Sequence, residues 1–529
     1  MSTPSTVKRE ELEALRLRVE TRQLHDSDFA VVGKLIALVE TLVTLLERKK
    51  ASIARLRKML FGAGTEKSAT VVSSLAPPRH GQSEGRPPAK GHGRNSAQSY
   101  WGARRVEVHH TEMKLGERCP ECGKGNLYQL KKPSPVLWLE GKPPVQATVY
   151  ECQMLRCNGC GKVFTAEAPS EARGKKYDES VGSAVALSRY GNGLPFFRLQ
   201  QLQRAMGVPL PVSVQWQLVE QKAQSLKPIH EALCRDAAQA ELMRVDDTKM
   251  TILERDGGRS TSKEPPVQDP GKKGTRTTAI VASGHGHQSV IYTTGGSQAG
   301  DNMDRLLAQR SAVLPAPIQM CDALQANLPK RFQVILANCL AHARRKFVDL
   351  VQPFPREVEL TLYAFQCIYA NEEEAMAAKL TPQQRLEFHQ LRSAFIMEGL
   401  FDWMNGQFSS KKVEPNSQLG DTFRYMIKHR EPLTLFLRVA GAPLDNNLCE
   451  RILKRAILHR KNSMFYKTCR GAEVGDLLMS VISTCTMNGV NPFEYLTEVE
   501  KHSAEVAQDV ESWLPWNYAL KPPSKAQPP

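Results

Sequence analysis

The feature that most constrains the fold of this chain is a series of short apolar stretches between Glu241 and Asn338. The first, LMRVDDTKMTIL, alternates as a strand does, and TTAIVASG and QSVIYTT follow it with Gly-rich turns between them. A helix is predicted near Asp304–Leu307, before the apolar run PIQMCDAL. The stretch RFQVILAN then leads into a basic helix, CLAHARRKFVDL. This order of elements predicts a mixed α/β sheet.

Two acidic residues lie where carboxylates of such a sheet can meet. The order of elements matches a ribonuclease-H-like sheet, in which an acid on the first strand lies beside an acid at the tip of the fourth. Asp246 and Asp322 occupy those positions. Strand alternation directs Asp247 to the opposite face. A single Asp is more often a turn or cap residue, so the interpretation requires several acids to converge.

Residues 444–468, LDNNLCERILKRAILHRKNSMFYKT, supply a third acid. Asp445, Asn446 or Asn447 can cap a helix whose first turn holds Glu450. Seven cations lie between Glu450 and the next acid, Glu473, and those predicted to contact DNA phosphates are Arg451, Lys454, Arg455, Arg460 and Lys461. A solvated amphipathic helix with one Glu is the alternative interpretation.

Phosphodiester transfer explains these residue types. It uses two Mg²⁺ ions about 4 Å apart to activate the attacking oxygen and to stabilise the leaving one. Hard divalent cations require oxygen ligands, and carboxylates also offset their charge. Asp246, Asp322 and Glu450 are therefore the predicted catalytic residues and the predicted ligands of Mg²⁺ or Mn²⁺.

Composition favours a large, basic, cytoplasmic protein. A chain of 529 residues should hold several domains, and a formal charge of +16 favours a polyanionic partner such as DNA. A basic protein without such a partner remains the alternative. No apolar run is long enough for a membrane helix, and the N-terminus lacks the apolar region of a signal peptide. In a reducing compartment, the 12 Cys favour thiols and metal ligands over disulfides.

The N-terminal part predicts a helix followed by a linker. Residues 1–61 contain apolar residues at a three-four spacing, namely Val32, Leu35, Val39, Leu42, Leu46, Ile53, Leu56 and Leu60. That spacing predicts a coiled coil and self-association, or else a helix packed on its own domain. Residues 62–110 are rich in Gly, Ser, Pro and scattered cations, which indicates a basic flexible linker that settles onto DNA or stays solvated.

Residues 111–170 predict a zinc-binding domain. The two CxxC pairs, each followed by Gly, are Cys119, Cys122, Cys157 and Cys160. Four soft ligands suit a tetrahedral structural Zn²⁺, with no open coordination position. The alternating stretch between the pairs predicts a β-hairpin that brings them together. A redox-active CxxC is the alternative.

The remaining domains follow from helical patterns. Residues 171–235 contain a helix near Phe196–Met206, a break at Gly207 and a second helix from about Pro211, with Ser213 available as its cap. This pattern predicts a helix-turn-helix-like DNA-binding segment or two ordinary packed helices. The catalytic domain spans residues 236–470 with a helical insertion at about 355–440, and residues 471–529 form a C-terminal helical segment and tail.

Several segments resemble the large transposase of the insertion sequence 66 family, a bacterial DDE transposase. The most specific are AHARRKF at 341–347 and DNNLCERILKRAILHRKN at 445–462. RLRKMLFGAGTEKS at 55–68, the two CxxC pairs, GLPFFRLQQLQRAMGV at 193–208 and NGVNPFEYL at 488–496 resemble further segments of the family. Two places depart from its pattern: Asp247 replaces a common Glu, and CDALQAN replaces a common D-G-Y around Asp322.

The resemblance implies a function and partners. It implies a DNA transposase that binds terminal inverted repeats, cleaves at the element ends and joins the 3′-OH to target DNA. It places the family's acids on Asp246, Asp322 and Glu450, and it implies phosphate contacts or packing roles for His342, Arg344 and Arg345. Small companion proteins, a homodimer or higher oligomer, and an association with the bacterial nucleoid are also expected.

Two other classes of protein fit the same sequence features. One is a ribonuclease-H-like nuclease that cuts without joining. The other is a catalytically inactive, zinc-containing DNA-binding protein.

Overall fold

The computed structural model describes residues 116–118, 120, 122, 124, 126–127, 144–156, 163–170, 176–256 and 274–518. These residues divide into two compact units. One comprises residues 343–379 and 392–424, and the other comprises the described residues up to 342 together with 380–391 and 425–518. The predicted N-terminal coiled coil and the linker at 62–110 lie outside the described residues.

Seven strands and sixteen α-helices are described, numbered here in chain order. The strands are β1 Met154–Arg156, β2 Val163–Thr165, β3 Leu242–Met250, β4 Thr275–Gly284, β5 His287–Gly295, β6 Ile318–Cys321 and β7 Ile335–Asn338. The helices are α1 Glu179–Ala186, α2 Phe196–Ala205, α3 Val212–Gln239, α4 Leu253–Asp256, α5 Ala299–Leu307, α6 Leu340–Val348, α7 Pro355–Ala377, α8 Pro382–Arg392, α9 Ala394–Ser409, α10 Gln418–Lys428, α11 Arg430–Leu433, α12 Asn447–Ser463, α13 Cys469–Met487, α14 Pro492–Lys501, α15 Ser503–Gln508 and α16 Pro515–Tyr518. A π-helical turn (Leu187–Gly191) and three 3₁₀ turns (Gln325–Asn327, Leu435–Leu437 and Glu511–Trp513) complete the set.

The sheet that carries the predicted acids has five strands in the order β5-β4-β3-β6-β7. β3, β4 and β5 form an antiparallel meander, and β6 and β7 run parallel to β3. The predicted strands and their order along the chain are confirmed. The mixed sheet with its many helices is compatible with the ribonuclease-H-like fold predicted from the sequence.

The described part of the predicted zinc domain contains two antiparallel pairings. β1 pairs with β2, on either side of the second CxxC, and Arg118 pairs with Asn126, on either side of the first. Each pairing therefore encloses one CxxC, whereas the sequence predicted a hairpin between the two pairs. Cys122 is exposed. The other three predicted zinc ligands, Cys119, Cys157 and Cys160, lie outside the described residues.

The predicted pair of helices around Gly207 is present as α2 and α3. Gly207 has φ +78°, a conformation that favours glycine, which explains the break. Pro211, rather than Ser213, is the N-cap of α3. The second helix has 28 residues, and its buried Lys222 forms an ion pair with Glu500. Most of α3 therefore packs within the protein, as the alternative of two packed helices requires.

Helix α13 covers the edge strand β5 with a ladder of side chains. Backbone N–H groups of alternate β5 residues donate to polar side chains spaced four residues apart on the helix and its C-cap. The rungs are Thr294 to Asp476 (2.5 Å), Tyr292 to Ser480 (2.9 Å), Val290 to Thr484 (3.0 Å) and Gln288 to Asn488 (3.1 Å). The helix thus provides hydrogen-bond acceptors for the free N–H groups of an edge strand that could otherwise pair with another strand.

The smaller unit is helical in its described part. Helices α7 and α9 contribute buried apolar residues, and the ring of Phe347 lies 6.0 Å from Phe365 and 6.2 Å from Phe423. This unit contains part of the helical insertion predicted at about 355–440. Within the described part of the chain, no helix has the length and apolar character needed to cross a membrane.

The ladder predicts a pH dependence of folding at Asp476. Burial raises the pKa of Asp476 from 3.8 to about 7, although Thr294 donates to both carboxylate oxygens. The folded state therefore holds this proton more tightly, so ionisation of Asp476 lowers the free energy of unfolding as pH rises from about 4 to about 7. Urea unfolding of Asp476→Asn should lack this loss, which is on the order of a few kcal/mol.

The exposed Glu505 provides the control for this experiment. Glu505→Gln should follow the wild-type pH curve. Parallel curves for the wild type and Asp476→Asn would contradict the assignment.

Candidate functional site

Two neighbouring parallel strands bring Asp246 and Asp322 together. Arg244 of β3 lies opposite Met320 of β6. Extending this register by two residues places Asp246 beside Asp322, which directly follows β6. Asp322 is held in place because Asn327 and the backbone N–H of Leu324 both donate to its Oδ1.

Glu450 lies in the first turn of α12, and Asn446, the N-cap of that helix, attaches the turn to β3. The fully buried Asn446 side chain donates through Nδ2 to the carbonyl of Val245 at 2.9 Å. The thiol of Cys449 contacts the carbonyl of Ala279 at 3.4 Å, and Ala279 is the cross-strand partner of Asp246. The sheet and the helix start therefore hold Glu450 over the Asp246 side of the sheet.

The charges of Asp322 and Glu450 both act on Asp246, although the carboxylate oxygens of the three acids do not all lie within 4.8 Å of one another. Burial, the largest effect, raises the pKa of Asp246 to about 7; the backbone N–H of Asp247 lowers it, and the negative charges of Asp322, Glu450 and Asp247 raise it. Neighbouring carboxylates repel one another, and a divalent cation bound among them would offset that repulsion. The donor set is entirely oxygen, which suits Mg²⁺ or Mn²⁺.

Asp247 has a different environment. Its carboxylate forms an ion pair with Arg276, whose Nη1 lies 3.2 Å from Oδ1. Burial raises the pKa of Asp247, and Arg276 lowers it. Alternation along β3 places Asp247 on the face opposite Asp246, as predicted, where a cation from the protein already balances its charge.

The structure adds His342 and Cys339 to the neighbourhood of Glu450. His342 Nδ1 lies 3.6 Å from Glu450 Oε1. Potential ligand atoms of Cys339, His342 and Glu450 all lie within 4.8 Å of one another. The sequence predicted a packing or phosphate role for His342 and no role for Cys339. The available signal was their position in CLAHA, directly after β7, the strand beside β6.

The basic residues of α12 fall into two groups. Arg451, Lys454 and Lys461 are exposed. Arg455 is partly buried and donates to Ser483 Oγ at 2.6 Å, and Arg460 donates to Thr248 Oγ1 at 2.9 Å and to the carbonyl of Lys249 at 2.7 Å. These two guanidinium groups attach the helix to the rest of the protein.

The apolar side of α12 packs against the core. Leu453 is 3% exposed, whereas Ile452 and Ile457 are only partly buried against the core. In the smaller unit, the predicted DNA contacts Arg344 and Arg345 are partly buried on α6, and both have interaction partners.

The comparisons with known proteins agree with this fold. The sequence profile described as "Transposase IS66 family" matches residues 174–474. The matched segment is more than half of the chain and includes the sheet, Asp246, Asp322 and Glu450. This chain belongs to the IS66 family of transposases.

Curated relatives come from Sinorhizobium fredii, where they are described as uncharacterized proteins. The protein y4qI is 25% identical over 350 residues, which cover 64% of this chain and 62% of y4qI. The protein y4jD is 26% identical over 385 residues, which cover 68% of this chain and 70% of y4jD. The chain therefore spans less than two-thirds of the first relative and slightly more than two-thirds of the second.

Metal binding by the three acids can be tested without DNA. Mg²⁺ or Mn²⁺ should raise the melting temperature of the wild type by a few degrees, because a ligand of the folded state stabilises it. Asp246→Asn should abolish this rise. In metal-free buffer at neutral pH, the same variant should melt above the wild type because a buried, repelled carboxylate has been removed.

Asp247→Asn is the matched control, one residue away on the opposite face of the same strand. It should retain the metal-induced rise. If Asp247→Asn loses the metal-induced rise in melting temperature and Asp246→Asn keeps it, the metal site lies on the opposite face of the sheet.

Proposed function

We propose that this protein is a DNA transposase that binds the terminal inverted repeats of its element, cleaves at the ends and joins the freed 3′-OH to target DNA. The family supports DNA transposition in general. The observation that supports the specific reaction is the convergence of Asp246 on β3 with Asp322 at the end of the neighbouring strand β6, together with the effect of the Asp322 and Glu450 charges on the pKa of Asp246.

The three acids are the proposed catalytic residues and metal ligands. Two divalent cations held by Asp246, Asp322 and Glu450 would activate the attacking oxygen and stabilise the leaving oxygen of the phosphodiester. Asn446 positions Glu450 by bonding the helix start to the strand that carries Asp246. Asn327 orients the Asp322 carboxylate.

DNA phosphates are proposed to contact the exposed cations of α12. Glu450, Lys454 and Lys461 lie at i, i+4 and i+11, which places them along one side of the helix. Arg451 is exposed beside Glu450 in the first turn. A phosphate backbone that follows this side would be held by ion pairs next to the reacting acids.

The other parts of the proposal depend on the sequence and the family. They include zinc binding by the two CxxC pairs, self-association through the N-terminal helix, contacts of Arg344 and Arg345 with phosphates, small companion proteins and location at the bacterial nucleoid.

Cleavage of an end-containing duplex tests the assignment of the acids. Asp246→Asn, Asp322→Asn and Glu450→Gln should each reduce Mg²⁺-dependent strand cleavage by about 1000-fold or more, because each removes several kcal/mol of transition-state stabilisation. Binding to the same duplex should persist in a gel-shift assay. Glu473→Gln, which changes an exposed acid on the next helix, is the control. Full cleavage by Glu450→Gln would refute the assignment.

Strand transfer separates the transposase from the two other classes. With ends already cut to expose the 3′-OH, the wild type should join them to a target plasmid. A nuclease would cleave uncut ends without joining cut ones. An inactive DNA-binding protein would bind the ends equally with and without metal. It would not cleave them in Mg²⁺ or in Mn²⁺.

A further inference from the structure

A second cluster of metal-ligating side chains shares one residue with the three acids. We propose that Cys339, His342 and Glu450 form a site for a soft divalent cation such as Zn²⁺, and that its occupancy withdraws Glu450 from the catalytic acids. The binding site depends only on these three side chains. The inhibitory effect also rests on the proposed transposase function.

Two segments of the chain bring the ligands together. Cys339 directly follows β7, His342 lies in the first turn of α6, and Glu450 lies in the first turn of α12. Their potential ligand atoms are all within 4.8 Å of one another, and the His342 and Glu450 atoms are 3.6 Å apart. Ligand atoms of a tetrahedral zinc site are separated by about 3.3–3.8 Å, as bond lengths of about 2.0–2.3 Å require. Small side-chain movements would therefore complete the site.

The donors differ in chemistry from those of the three acids. A thiolate, an imidazole and one carboxylate are the ligands that Zn²⁺ accepts readily, whereas Mg²⁺ and Mn²⁺ prefer oxygen donors. Three protein ligands leave a fourth position for water. On binding, the Cys339 thiol transfers its proton to solvent and the sulfur forms the bond to the cation, with no change of oxidation state.

Two features of the surroundings favour this arrangement, although burial raises the pKa of the Cys339 thiol to about 12 and a bound cation must offset that cost. The backbone N–H of Asn446 points at Cys339 Sγ, at 3.2 Å, and such donors stabilise thiolate ligands in metal sites. His342 Nδ1 is shielded from solvent and has no hydrogen-bond partner within the described part of the protein. An electron pair on an imidazole nitrogen that faces a carboxylate is unfavourable unless a proton or a cation lies between them.

Sharing Glu450 makes the two sites antagonistic. A Zn²⁺ ion bound to the Glu450 carboxylate neutralises the charge that would attract Mg²⁺ to Asp246 and Asp322. The Zn²⁺ ion would also repel a Mg²⁺ ion bound at Asp246 and Asp322, because the space between them is partly buried. Zinc should therefore inhibit Mg²⁺-dependent cleavage, and higher Mg²⁺ should partly restore it.

The binding site is tested by counting zinc in the full-length protein after equilibration with buffered Zn²⁺. Cys339→Ser and His342→Gln should each hold one zinc fewer per chain than the wild type, and any zinc on the CxxC pairs should remain in all variants. Cys321→Ser is the matched control, because it changes a buried cysteine at the tip of the adjacent strand that is not in the cluster. Its zinc content should equal that of the wild type.

Circular dichroism checks that each variant is folded. Should Cys339→Ser unfold, the partly exposed His342 makes His342→Gln the deciding variant. Equal zinc contents in His342→Gln, Cys321→Ser and the wild type would overturn the proposed site, whatever the cleavage activity.

Inhibition is tested separately, with each variant compared with its own activity in Mg²⁺ alone. The Zn²⁺ concentration for half-inhibition should rise about 10–100-fold in Cys339→Ser and His342→Gln relative to Cys321→Ser, because losing a direct ligand weakens binding at least as much as losing a supporting one. Unchanged inhibition in variants that have lost the zinc would refute the antagonism and leave the binding site standing. If the wild type does not cleave DNA in Mg²⁺ alone, that result contradicts the proposed function and not the zinc site.

Discussion

The structure around the site depends on how the edge of the sheet is closed. Strand β5 presents alternate N–H groups about 6.6 Å apart, and residues four apart on a helix are separated by about 6 Å along its axis. This near match lets one helix face, from Asp476 to Asn488, accept from four strand residues in succession. The ladder fixes the position of α13 along β5, and it does so with polar groups that a slipped register would leave unsatisfied.

The same two elements hold the helix that carries Glu450. The Tyr292 hydroxyl on β5 donates to the carbonyl of Ile452 at 2.6 Å, and Ser483 on α13 accepts from Arg455 at 2.6 Å. At the other end of the first turn, Asn446 bonds to β3. The position of Glu450, a proposed catalytic acid, therefore depends on residues far away in sequence. Arg455, which the sequence predicted as a DNA contact, instead donates to Ser483 and helps to hold the helix in place.

The elements of the sheet were predictable because strand alternation and turn residues are local signals. The placement of Asp246 beside Asp322 was predictable because it follows from strand order. The roles of Ser480, Thr484 and Asp476 were not, since polar residues spaced along a helix usually indicate a solvated face. Cys339 and His342 approach Glu450 only because two segments more than 100 residues apart are in contact. A local pattern of apolar and polar residues cannot reveal such a contact.

Asp246 and Asp476 illustrate why a perturbed pKa does not identify a reactive group by itself. Burial raises both to about 7. Around Asp476 the Thr294 N–H and hydroxyl donate to the two carboxylate oxygens, and one other acid, Glu473 on the same helix, also raises its pKa, so its role is structural. Around Asp246 the charges of Asp322 and Glu450, which come from different elements, and of the adjacent Asp247 raise its pKa, and a bound cation would offset them. The convergence of acids from several elements, rather than the size of the pKa shift, distinguishes a candidate metal ligand from a structural carboxylate.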